Sequence, residues 1–113
     1  MARAYTVTVR AQPRTQKQRF ANLDDALSAI ESRGREFEVR ARDAPVGGTL
    51  IRRIEPVQIV SARLELAGPG RLRAGVDVRG DGSTEAFTGR VRRRVVEQLD
   101  GESAYDALRR ELS

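Results

Sequence analysis

The sequence predicts an α+β fold: one domain over residues 1–113, with a mostly antiparallel sheet built on a hairpin at 60–78. Three patterns carry the expectation. Val60, Ala62, Leu64 and Leu66 alternate with polar residues, and so do Leu72, Ala74, Val76 and Val78. Strand side chains alternate faces, so each run buries one side and wets the other. Leu23, Ala26, Leu27 and Ile30 fall at helical spacing, as do Tyr105, Leu108 and Leu112. Strands and helices segregated along a chain imply α+β rather than alternating α/β.

Alternation in the two runs of the hairpin limits their register. In Gly68-Pro69-Gly70, Pro69 presets φ for the second position of a turn, and Gly70 supplies the positive φ that a type II turn needs next. Directly opposed residues share a face, which leaves two pairings. Opposing Glu65 with Arg71 sets Arg63 against Arg73. Opposing Glu65 with Arg73 sets Arg63 against Gly75 and Leu66 against Leu72. The second is preferred, since opposed unlike charges help and like charges hurt by roughly 0.2–1 kcal/mol per pair. Its parity requires a bulge near Gly68 or Gly70.

Along the chain, Tyr5, Val7 and Val9 alternate with Thr6, Thr8 and Arg10 as a first strand, which Pro13 ends. Thr15 to Ala21 returns as an edge strand whose large apolar residue is Phe20, with Lys17 and Arg19 turned to water. Asn22 caps a helix near 23–33, with Asp24 and Asp25 in its first turn and Gly34 as its stop. Phe37, Val39 and Ala41 then alternate as a third strand. Asp43 to Thr49 reads as a loop and Leu50 to Glu55 as a short strand broken by Pro56. After the hairpin, Arg79 to Ser83 is a turn and Thr84 to Thr88 a strand burying Phe87. Val91, Val95, Val96 and Leu99 fit a helical stripe stopped by Gly101, although the same β-branched residues would also extend a strand; helix is the favoured reading. Ser103 and Asp106 form a capping box for the last helix, so one or two helices close the chain.

Composition excludes more than it assigns. The chain has no cysteine and no histidine. Disulfide frameworks, thiolate or imidazole zinc sites, and Ser-His-Asp or Cys-His nucleophiles are therefore ruled out. No paired carboxylates stand out, no Gly-Lys-Ser/Thr follows Gly47-Gly48-Thr49, and Arg79 stands where a calcium loop starting at Asp77 needs an oxygen ligand. The expectation is a protein that is not an enzyme and has no cofactor or metal. The first residues lack an apolar signal segment and no run approaches spanning length, which predicts a cytoplasmic protein without a membrane partner.

Charge suggests a partner. Of the 21 basic residues all but Lys17 are arginine, the net charge is +5, and the sequence pI is about 10.9. Arginine's planar fork pairs with phosphate or carboxylate in bidentate fashion. The densest cluster is Arg90, Arg92, Arg93 and Arg94, with Arg71, Arg73 and Arg79 on the hairpin as further candidates for polyanion binding. Against this stands a solvated helix face on which Arg93 pairs with Glu97 at i+4. The leading expectation is a small binding module for nucleic-acid backbone, with an acidic protein as the other partner. Aromatics amount to 4%, which disfavours single-strand reading by base stacking. The alternative is a structural or interaction subunit acting as a homodimer, joined through the edge strand at Thr15 to Ala21 or through the C-terminal stripes. From Asn22 onward the order helix, strand, strand, strand, helix resembles that of a double-stranded-RNA-binding domain. That likeness is one of order alone: no motif accompanies it, and the two preceding strands fall outside it.

Overall fold

A computed structural model of the chain describes residues 4–11, 13–43, 59–89 and 92–113. Six strands form one antiparallel sheet: β1 (Tyr5–Ala11), β2 (Arg14–Phe20), β3 (Val60–Ala67), β4 (Arg73–Arg79), β5 (Thr84–Thr88) and β6 (Arg94–Val95). Their spatial order is β2-β1-β3-β4-β5-β6. Two helices, α1 (Leu23–Asp43) and α2 (Ala104–Leu112), lie on one face of it. The α+β class and the central hairpin are as the alternation predicts.

The covered face forms the core. Val7 and Val9 from β1, Leu64 and Leu66 from β3, Val76 and Val78 from β4 and Ala86 from β5 meet Leu27, Ile30 and Phe37 of α1 and Leu108 of α2. Each large aliphatic side chain fully buried there contributes about 1.5–3 kcal/mol.

The first helix is twice as long as expected. It begins as predicted: the Asn22 Oδ1 accepts from the Asp25 amide at 2.8 Å. It does not stop at Gly34, and Phe37 to Ala41 is helix rather than a third strand. Phe37 and Ala41 are four residues apart, so a five-residue alternation fits either period. The helical phase turns Val39 outward, 55% exposed, and carries Phe37 into the core. Gly34 lies inside the helix, where Tyr105 of α2 packs against it. A Cβ there would lie 2.3 Å from the Tyr105 hydroxyl oxygen. That hydroxyl donates to the buried Glu38 carboxylate at 2.6 Å, which locks α2 onto α1.

The hairpin register differs from both expected pairings. Arg63 faces Asp77, Glu65 faces Gly75, and Leu66 faces Ala74. The turn has moved one residue on: the Leu72 amide donates to the Pro69 carbonyl, and the two residues between, Gly70 and Arg71, both have positive φ. That is the arrangement of mirror-image hairpin turns, which match strand twist. The gain is a bidentate ion pair, Arg63 Nε and Nη2 to the Asp77 carboxylate at 2.7 and 3.1 Å. The strand irregularity falls at Val60/Ala62, away from the glycines.

The stretch before α2 is not a second helix. Arg94 and Val95 pair with β5, opposite Thr88 and Phe87, and 96–99 is neither helix nor strand. Of the expected stripe, Val96 is buried while Val95 and Leu99 are 61% and 55% exposed; Val91 lies outside the described residues. Gly101 sits in a turn in which the Glu102 carboxylate accepts from the Leu99 amide. The capping box of α2 forms as read, Ser103 Oγ accepting from the Asp106 amide and Asp106 from the Ser103 amide. The expected strand at 50–55 and most of the 43–49 loop lie outside the described residues.

Candidate functional site

Among the described residues no helix covers the other face of the sheet, and its side chains follow directly from register. Three rows run across the strands. The first reads Arg19, Thr6, Ala67, Arg73; the second Lys17, Thr8, Glu65, Gly75, Phe87, Val95; the third Thr15, Arg10, Arg63, Asp77, Glu85. Arg79 extends the same face at the far end of β4 and pairs with Glu85 at 2.9 Å.

These rows enclose a groove of about 430 Å³ lined in part by Thr8, Arg10, Lys17, Arg73, Phe87 and Arg93. Glu65 is the one acid in its lining. Its carboxylate bridges two cations, accepting from Arg10 Nε at 2.5 Å and lying 3.5 Å from Arg93 Nη2. Arg10 and Arg63 are opposed like charges. They are held apart because Arg10 turns to Glu65 while Arg63 is tied to Asp77, whose hydrogen bond raises the Arg63 pKa further above its ordinary value. Arg73 donates to the Leu72 carbonyl at 2.8 Å, which anchors its fork at the hairpin end of the groove.

Beside it, across the β4–β5 pairing, is the aromatic ring. Phe87 points to the uncovered face yet is only 5% exposed. Its ring occupies the space left by the missing side chain of Gly75, where a Cβ would stand 2.6 Å from Phe87 Cζ. Arg93 lies over the ring, 4.5 Å from its centroid, and Arg63 flanks it at 6.0 Å.

The seven arginines singled out from sequence do not share one site. Arg73 and Arg93 line the groove. Arg79 is on the same face beyond it, and Arg71 projects from the hairpin turn. Arg92 is exposed beside Arg93. Arg94 points to the helix-covered side of the sheet, near Glu97, Arg110 and Glu111. Arg90 lies outside the described residues. The expected Arg93–Glu97 pairing requires a helix that is absent; Arg93 turns to Glu65 and Phe87 instead. Arg10 and Lys17, which composition did not single out, complete the cluster. Their signal was their place at the polar positions of β1 and β2, but bringing them beside Glu65 required knowing that β1 pairs with β3.

Among the described residues no three acids lie close enough to hold a metal ion, and no helix is long and apolar enough to cross a membrane. No family model, no curated protein and no solved structure matches the chain.

Proposed function

We propose that the protein is a non-enzymatic binding module that takes nucleic-acid backbone along the groove on the uncovered face. The observation that supports this is the convergence of Arg10, Lys17, Arg73 and Arg93 on a groove with a single acid in its lining. Cations facing one concavity raise the local concentration of anions and steer them in. Bound phosphates release counterions, so affinity falls with salt at about 0.7–0.9 log units per log unit for each contact. Fluorescence anisotropy of a labelled oligonucleotide across a salt series tests it. Four contacts give a slope near about −3. The double variant Lys17→Ala/Arg73→Ala binds more weakly, with a slope shallower by about 1.4–1.8. Absence of binding at low salt overturns the proposal.

The second reading, a homo-oligomeric interaction subunit without nucleic acid, draws on β2. It is one of the two edge strands of the sheet among the described residues, and all its residues but Phe20 are exposed. Such an edge is a template for another chain, yet Arg14, Lys17 and Arg19 guard it with charge. A defined dimer mass by sedimentation, insensitive to salt and without nucleic-acid affinity, would favour this reading over the first.

A further inference from the structure

We infer that the groove takes single-stranded nucleic acid, one base of which stacks on the outward plane of the Arg93 guanidinium. This rests on the backbone reading above and narrows it to one partner.

The argument begins with Gly75. Because that position carries no side chain, the Phe87 ring lies down on the sheet instead of standing in solvent. A ring in that position offers one plane outward, and Arg93 covers it at 4.5 Å. The guanidinium carbon thus sits directly above the ring, a start on which a stack can be built. Arg93 is not sealed by the fold: its side chain is 34% accessible, which leaves surface on which a third layer can rest.

Arg93 is also held differently from its neighbour. Arg63 is fixed by two short hydrogen bonds to Asp77. Arg93 has one long contact with Glu65, at 3.5 Å. Arg93 therefore rests on the ring without the two-pronged carboxylate pairing that fixes Arg63. Unstacked bases settle on guanidinium planes as they do on aromatic rings. Aromatic residues are scarce, and a cation extends the one ring that faces the groove.

The rest of the groove suits the strand that would carry such a base. From Phe87 on β5 the middle row crosses β4, β3 and β1 to Lys17 on β2, four strand spacings or roughly 19 Å. Arg73 and Arg10 flank that row on opposite sides. A strand laid along the row places phosphates between these cations while a base meets Arg93. A duplex hides its base planes in its own stack and gains nothing from this platform.

The test compares three probes of equal phosphate number: a single-stranded oligonucleotide, the same strand with abasic sites, and a hairpin duplex. The base-bearing strand binds at least about fivefold more tightly than the abasic one, the ratio expected for one stacked base. Arg93→Lys keeps the charge but loses the plane, so it brings that ratio to about one, lowering the affinity of the base-bearing strand by more than that of the abasic strand. Equal binding of base-bearing and abasic strands by the unmodified protein overturns the inference without any variant. So does a duplex bound more tightly than the single strand, or a ratio that survives in a folded Arg93→Lys protein. If none of the probes binds at low salt, the backbone reading itself is what fails.

Discussion

The two faces of this sheet are made by the same strands and held by different physics. On the covered side, Leu64, Leu66, Val76 and Val78 are all at most 1% exposed and are fixed by shape against two helices. On the other side, one residue along in each strand, Arg63, Glu65, Arg73 and Asp77 are fixed by charge and by a ring lying on a glycine. Close packing makes the first face intolerant of volume change. The second is partly exposed: its Arg10–Glu65 and Arg79–Glu85 pairs are screened and contribute little to stability, while Arg63–Asp77 has its carboxylate buried. Removing one side chain from each face should therefore give opposite results: a large stability loss without a binding change, or the reverse.

Leu64→Ala gives the largest effect. Its side chain is fully buried at the centre of β3, so truncation costs about 2–5 kcal/mol through lost transfer energy and the cavity left behind. Urea unfolding reads this, and affinity per folded molecule stays the same. An equal loss of affinity would show that the two faces are not independent.

Tyr105→Phe comes next, at about 1–3 kcal/mol, because it leaves the buried Glu38 without its phenol donor. It also changes the pH profile. Burial, reinforced by the hydrogen bond to Glu38, raises the Tyr105 pKa well above the ordinary phenol value. The neutral phenol is thus favoured by folding. Its contribution is complete below about pH 10, where the unfolded chain begins to ionise, and is lost as pH rises further. The unmodified protein should lose about 1.4 kcal/mol per pH unit in that alkaline range beyond what the Phe variant loses. Parallel curves from chemical denaturation at a series of pH values would contradict the buried hydrogen bond.

Glu65→Gln has the smallest effect on stability, within about 1 kcal/mol, since both its ion pairs are partly exposed. Its effect on binding is the reverse of a cation's removal. It takes the one acid out of the groove and frees Arg10 and Arg93, so oligonucleotide affinity rises. A fall would mean that Glu65 holds those arginines in their binding geometry rather than competing for them.

What could be read from sequence divides along the same line. The covered face was legible because alternation and helical stripes report burial directly: Leu64, Val76, Ile30 and Leu108 all lie where their spacing puts them. Local capping at Asn22 and Ser103 was legible too, since each cap involves a partner three residues away. The uncovered face was not. Its pattern of neighbours depends on register, and register turned on the Arg63–Asp77 pair and on two positive-φ residues in the turn, one of them an arginine. The cluster Arg90 to Arg94 drew attention by its density, yet strand alternation sends Arg94 to the other side of the sheet from the groove. Arg10 and Lys17 come together with Arg73 from three strands, a juxtaposition no local window contains.

Gly34 places one further restriction on the chain. In the interior of an ordinary helix, replacing glycine by alanine raises stability by about 1 kcal/mol, through propensity alone. Here the added methyl would collide with a tyrosine that is itself anchored, so the usual improvement changes sign. Any effort to harden this protein by raising helix propensity has to leave position 34 untouched. The spacing between its two helices is set by the absence of a single carbon.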